Sequence, residues 1–432
     1  MEFLLVSNGH GEDVIAARIG QALQKLGAEV LALPMVGAGH SYTRAGIAIV
    51  PNMTQVMPSG GFVRMDQQKL AEDVQHGLVG LTRRQMGFVW RWSRAKETRN
   101  SRRVVAIGDI VPLLLAWLPT RIGGAPFAFI ATAKSEYYWR DRQGILTEVK
   151  PPFGGSLFYP WERTMMKSRQ CCGLFVRDQL TADYLRDKFG IAAQYLGNPM
   201  MDGLEPKGLD FGIADDDWAV AVLPGSRPPE AYENWVALLT CAQVIARTLA
   251  PQTVHFLVAL APALDRNHFV QMLSQRGWLR PSSDGLTLPR QFIDADQTKD
   301  ASIPDATGYS RLMFKANNAH IHLIENGFAD VLHQANLGLA MAGTATEQMV
   351  GLGKPVITIG GNGPQFTPLF AVEQVRLLGC SVKRIDKPAQ ITEILNTLLK
   401  DPDYFQATVR NGIERMGYPG AAARIANYLM PS

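Results

Sequence analysis

Residues 3–33 read FLLVSNGHGEDVIAARIGQALQKLGAEVLAL, and their pattern sets the fold class. Phe3 to Val6 is an aliphatic run too short for a helix and suited to a strand covered on both faces. Ile15, Ile19, Ala22, Leu23 and Leu26 then recur at helical spacing, and Glu29 to Leu33 is strand-like again. Strand, tight turn, helix, strand is a βαβ opening, which commits this part of the chain to a parallel sheet.

The same rhythm continues outward. Further strands are expected at Ile47 to Val50, Val104 to Ile107, Phe127 to Ala131, Leu174 to Val176 and Gln194 to Leu196. The second half repeats it with Trp218 to Leu223, His255 to Leu260, His320 to Ile324, Leu337 to Met341 and Val356 to Ile359, and with helical stretches after Pro229, Phe328 and Thr344. A length of 432 residues exceeds what one core usually supports, so two domains are expected. Both read as α/β, doubly wound and Rossmann-like. The Gly-, Pro- and Asp-rich segment Gly203 to Asp217 marks their junction, placing residues 1–203 in the first domain and 204–403 in the second. Residues 280–307 break the rhythm, rich in Pro, Ser, Asp and Gly without periodicity, and read either as a lid or as decoration. No tandem repeat or low-complexity tract is present.

Composition bounds the function. With 47% hydrophobic and 19% charged residues the chain is an ordinary globular protein, and disorder is not expected. Cys171, Cys172, Cys241 and Cys380 have neither zinc-ligand spacing nor the look of a disulfide framework, which fits a reducing, cytoplasmic setting. Met1-Glu2 before a short strand is no signal peptide. The apolar stretch Ile110 to Leu118 is about half of a bilayer crossing and is closed by Pro119. The net charge is +4, yet between Gly80 and Arg103 eight Lys/Arg stand against one Glu, interleaved with Phe88, Trp90 and Trp92. Such a mixture suits an anionic membrane face, with basic heads on phosphates and rings at headgroup depth. The alternative is a solvated basic helix whose aromatics face the core. No nucleic-acid module accompanies it, and no nucleic-acid partner is expected.

In open α/β sheets ligands bind beyond the carboxyl ends of strands, where helix starts offer free N–H groups. Ala342 to Glu347 (AGTATE) follows a strand and opens a helix. Gly343 permits close approach of backbone, Thr344 and Thr346 offer hydroxyls for a diphosphate, and Glu347 stands where a carboxylate accepts two adjacent ribose hydroxyls. The competing reading is a capping box, Thr344 with Glu347. Leu223 to Glu230 (LPGSRPPE) is the second such loop: Ser226 caps toward the same crevice, and Arg227 is a planar cationic fork for phosphate. A surface ion pair is the plain alternative for Arg227. In the first half, Ser7 to Asp13 (SNGHGED) exposes His10, whose ordinary pKa suits a general base; an incomplete G-x-G-x-x-G disfavours NAD. Asp109, heading an apolar helix, is either an N-cap or a carboxylate aimed into the crevice. The remaining histidines form no metal cluster by spacing, with His320 and His322 read as packing, and no metal is expected.

With LPGSR (223–227), AGTATEQMVGLGKPVI (342–357), YLGNPMMD (195–202), YPWE (159–162) and the GHGED loop, the chain resembles the lipid-A-disaccharide synthase family, and most closely its synthase-related branch. These pieces span nearly the whole chain in order. The resemblance implies a GT-B glycosyltransferase of two Rossmann-like domains facing across a cleft, inverting, without a metal or other cofactor. A UDP-sugar would sit in the C-terminal domain and a lipid acceptor at the N-terminal one. It assigns the donor to Gly225, Ser226, Arg227, Gly343, Thr344, Ala345, Thr346 and Glu347, with Gln365 near the sugar. His10 or Asp109 is then the base that takes the acceptor proton. Asn198 stands where the synthases carry a histidine, which leaves the sugar open. The family's C-terminal helix, here about Tyr404 to Leu429, returns across the first domain. Two other readings remain: a UDP-sugar epimerase of the same fold, and a nucleotide-sugar-binding protein without catalysis.

Overall fold

The computed structural model describes residues 1–55, 77–94, 101–281 and 309–430. The aperiodic segment 280–307 thus lies almost wholly outside the described residues, as does 95–100 of the basic stretch. The chain divides into two compact units, Met1–Asp202 with Gly417–Ser432, and Gly203–Met416. Both are parallel-sheet α/β domains of the GT-B class.

The first unit carries six strands: β1 (Glu2–Ser7), β2 (Glu29–Pro34), β3 (Ala48–Ile49), β4 (Arg102–Gly108), β5 (Phe127–Ala131) and β6 (Cys171–Val176). Their order is β3-β2-β1-β4-β5-β6, and every pair is parallel. Phe3 to Ser7 are all buried, as expected of a strand with helices over both faces. Order reverses between β1 and β4, so the loops after these two strands flank the crevice where such sheets bind ligands. The expected strand Gln194 to Leu196 contracts to one bridge, Phe175 with Gln194. The chain turns away there because Asn198 caps a short 3-10 turn, Pro199–Met201, accepting the Met200 N–H at 3.0 Å.

The return of the C-terminus differs from the single helix expected over Tyr404 to Leu429. Two helices form, Pro402–Met416 in the second unit and Ala421–Leu429 in the first. Gly417 at φ 75° breaks the first helix, and Pro419 cannot donate to a helical ladder. The carboxylate of Asp202 then accepts the N–H groups of Ala421 at 3.1 Å and Ala422 at 2.7 Å, satisfying the start of the second helix. Ile425, Ala426 and Leu429 join the core formed by Phe3, Leu5, Ile15 and Ile19.

In the second unit β7 (Trp218–Leu223), β8 (Val254–Leu260), β9 (Ser310–Ala316), β10 (Ala319–Glu325), β11 (Leu337–Ala340), β12 (Val356–Ile359) and β13 (Val382–Ile385) form a sheet of order β13-β12-β11-β7-β8-β10-β9. Only the β9–β10 pair is antiparallel. β9 and β13 are edge strands that carry charged residues and so lack the continuous apolar run of a strand such as β7. The switch point lies between β7 and β11, where Leu223 pairs with Ala340. Trp235, Leu238 and Leu239 of the helix Glu230–Leu249 fill the core beside Val220, Val222 and Phe256.

Candidate functional site

The loops after β7 and β11 leave adjacent strands at their carboxyl ends, which brings the two sequence-selected stretches together. Met341 N–H closes the ladder onto the Leu223 carbonyl at 2.9 Å. Beyond it, the side-chain amide of Asn234, 3% exposed, donates to the carbonyls of Pro224 at 3.0 Å and Met341 at 3.4 Å, tying both loops to one helix. Gly225 is required by conformation: its φ is +103°, and an added Cβ would stand 3.4 Å from the Met341 carbonyl oxygen.

The capping-box reading of Thr344 with Glu347 does not hold. Gly343 is the N-cap of the helix Thr344–Gly351, and no side chain caps it. Its first N–H groups therefore retain their positive partial charge toward the crevice. Room exists for a larger residue at Gly343, since the nearest atom to a built Cβ is Phe370 Cζ at 3.6 Å. Thr344 is exposed and Ala345 half-buried, whereas Glu347 is largely buried in the first turn. Thr346 departs from expectation: it is fully buried and its hydroxyl donates to the Ala342 carbonyl at 2.6 Å, so that hydroxyl serves the backbone and not a diphosphate.

Ser226 is exposed and caps nothing, because the next helix starts only at Glu230, with Pro229 at the N-cap. Arg227 is half-buried, and its guanidinium has no hydrogen-bond or ion-pair partner among the described residues. A permanently charged group without a protein partner, on a loop that leaves the carboxyl end of a strand, is suited to a phosphate. The loop after β12 joins the same rim. Glu230 accepts the N–H groups of Gln365 at 3.1 Å and Phe366 at 2.6 Å, and at Gly363 a Cβ would sit 2.4 Å from Glu230. Gln365 itself is exposed. Sequence reading missed Asn234 and Glu230; the signal was a polar residue on the otherwise apolar Ala231, Trp235, Leu238 face.

In the first unit the helix begins at His10, so the expected open loop is shorter than read and Glu12 and Asp13 occupy its first turn. The side chain of His10 lies outside the described residues. Asp109 is an N-cap and a crevice carboxylate at once: it accepts the Val111 N–H at 2.9 Å and stands among Asn8, Lys134 and Glu162. Burial raises its pKa above the usual carboxylate range, partly offset by the Val111 hydrogen bond and the Lys134 charge. Lys134 pairs with Glu162 at 2.6 Å and lies 4.5 Å from the centre of the Tyr159 ring, which gives the YPWE stretch a physical role.

Glu12, which sequence reading did not single out, is raised by burial and by Asp109, and receives a hydrogen bond from Thr132 at 3.4 Å. Asp13 is pushed up to about 7, first by burial and then by Glu12, against the stabilising hydroxyl of Ser7 at 2.5 Å. Ser7 also meets the Tyr42 hydroxyl at 2.5 Å. Three carboxyl groups of elevated pKa thus gather at the β1/β4 switch point, a pattern typical of proton-transfer sites.

The basic stretch resolves into two roles. Phe88 and Trp92 of the helix Leu78–Ser93 pack against the core, and Arg102, paired with Glu2 at 2.9 Å, covers Trp92. Arg83, Arg84, Arg91 and Arg94 remain exposed. No helix among the described residues is long and apolar enough to cross a membrane.

The histidines also differ from expectation. His255, His320 and His322 cluster, at the opposite end of the second sheet from the loops above. A hollow of about 1070 Å³ lies beside them, lined by residues such as Arg276, Trp278 and Lys315. It is remote from the β7/β11 crevice, whose ligand reading rests on loop chemistry and not on cavity size.

Known proteins give a matching picture. No family model matches the chain. A lipid-A-disaccharide synthase from Syntrophus aciditrophicus (strain SB) is 22% identical over 259 residues, covering 55% of this chain and 57% of that protein. The matched stretch therefore spans little more than half of that relative. In structure the chain is similar to UDP-GlcNAc 2-epimerase from Neisseria meningitidis bound to UDP-GlcNAc, with a TM-score of 0.54, 14% identity and 99% of both chains covered. It is similar as well to Acinetobacter baumannii MurG, with a TM-score of 0.52, 12% identity, and 99% and 98% covered. The chain is thus similar in sequence to lipid-A-disaccharide synthase and shares the GT-B fold of these structures.

Proposed function

We propose that this chain is a glycosyltransferase that moves a hexosyl or N-acetylhexosaminyl group from a UDP-sugar to a lipid acceptor, with inversion and without a catalytic metal. The carrying observation is that Asn234 ties together two neighbouring loops, one carrying the unpartnered Arg227 and the other the uncapped helix start at Gly343. Those loops bind the diphosphate through the guanidinium and the free N–H groups, and Glu347 accepts ribose hydroxyls. Gly225, Ser226, Thr344 and Ala345 line the approach, Thr346 holds the backbone, and Gln365 faces the sugar.

In the reaction the acceptor oxygen bonds to the anomeric carbon, and the bond from that carbon to the β-phosphate oxygen breaks. Its electron pair leaves with UDP. The acceptor proton passes to a base of the first unit, where Asp109, with Glu12 beside it, and His10 are the candidates. A buried carboxylate of raised pKa is a stronger base than one in water, which suits it to that proton. The exposed arginines of the helix Leu78–Ser93 hold the chain at an anionic, cytoplasmic-side membrane surface, where a lipid acceptor resides.

The test is calorimetric UDP binding together with an acceptor-free incubation with UDP-N-acetylglucosamine. Binding lost in Arg227→Ala, and no isomerised sugar in the incubation, supports transfer. Unchanged affinity in both Arg227→Ala and Glu347→Ala rejects the site, and interconversion of the sugar alone replaces transfer with epimerisation.

A further inference from the structure

Three imidazoles of the second unit meet on one face of its sheet. His255 is the second residue of β8 and His320 the second of β10, and the strands' register pairs the two directly. His322, two residues on, projects to the same face. Ring centroids lie 4.8 Å apart for His255 and His320, and 5.2 Å apart for His255 and His322. One ring nitrogen of each lies within 4.8 Å of the other two. His255 and His322 are 3% and 1% exposed, while His320 is half-buried and reaches the hollow beside Trp278 and Lys315.

We propose that His255, His320 and His322 bind one divalent first-row transition-metal ion, zinc above all, with Asp217 as the outer carboxylate. Asp217 Oδ2 lies 3.1 Å from His255 Nε2. A carboxylate there accepts a proton carried on Nε2 and leaves the Nδ1 lone pair pointing away from it, the hydrogen bond commonly found behind metal-bound histidines. That Nδ1 lies 3.0 Å from His322 Nε2, close to the roughly 3.3 Å edge of a tetrahedron with zinc–nitrogen bonds of about 2.0–2.1 Å.

Nδ1 of His320 is buried with no hydrogen-bond partner among the described residues, while the facing nitrogens of His255 and His322 share a hydrogen bond that a bound ion would replace. Arg311 and Lys315 oppose a cation here, and Asp217 offsets part of that charge. An all-imidazole set selects zinc, copper or nickel over magnesium or calcium. Three protein ligands leave a fourth position for water. The site is far from the β7/β11 crevice, so it braces β8 against β10 and takes no part in transfer.

The full-length chain, made without a histidine tag and stripped with EDTA, is titrated with Zn²⁺ against a chromophoric chelator and separately with Co²⁺. One Zn²⁺ per chain and the visible absorption of four-coordinate Co²⁺ are expected, with no competition from millimolar Mg²⁺. His320→Gln, at the half-buried ligand, loses stoichiometric binding while circular dichroism confirms its fold. Asp217→Asn weakens binding about 10- to 100-fold. Absence of stoichiometric Zn²⁺ in the wild type, or equal affinity in His320→Gln, overturns the site.

Discussion

The side-chain amide of Asn234 donates to the backbone carbonyl of Pro224 at 3.0 Å, deep under the loop that carries Arg227. This one contact sets the height of the LPGSR loop over the helix Glu230–Leu249, and a second donation to Met341 sets the neighbouring loop against it. Asn234→Ala leaves two buried carbonyl oxygens without that donor. A loss of about 1–3 kcal/mol of stability is expected, with weaker UDP binding, read by denaturant unfolding and calorimetry.

Arg227→Ala separates binding from folding. The residue is half-buried and has no partner among the described residues, so stability stays within about 0.5 kcal/mol of the wild type while UDP affinity falls. Equal losses of stability and affinity contradict the assignment.

Asp109→Asn keeps an acceptor for the Val111 N–H and removes the charge. It is expected to retain UDP affinity and lose turnover by a hundredfold or more, in the range of general-base removal. Retained turnover in this variant, with loss in His10→Ala, transfers the role to the histidine.

Asp13 gives a pH signature. Its carboxyl is raised from the ordinary 3.8 to about 7, so the folded state holds a proton that the unfolded chain releases near pH 4. The group therefore opposes folding progressively as pH rises from about 4 to 7, by up to roughly 4 kcal/mol if it acts alone. Asp13→Asn keeps an acceptor for Ser7 and is expected to flatten this fall, making the protein more stable than the wild type at pH 8 and about equal at pH 4. Parallel pH curves for the two chains refute it.

Membrane affinity is expected to reside in the exposed arginines. Charge reversal of Arg83 and Arg84 should abolish sedimentation with anionic vesicles and leave the fold intact, since both side chains face solvent. Equal binding of wild type and variant, or equal binding to zwitterionic vesicles, removes the anionic-surface reading.

The chain's own pattern determined the two predominantly parallel sheets, because most interior strands carry continuous apolar runs and their crossover helices are periodic: Phe3 to Val6 and Trp218 to Leu223 are recognisable without any contact information. It determined as well which loops leave the carboxyl ends of strands, hence the LPGSR and AGTATE stretches. Edge strands such as Val382–Ile385 were not legible, since half their residues face solvent. Only tertiary structure decided the rest. Whether Thr344 or Gly343 caps a helix depends on how the chain enters it. That Glu12 and Asp13 come close to Asp109, and that His255 meets His320, follow from strand order and register. Register is set by packing of residues far apart in sequence, which no local spacing encodes.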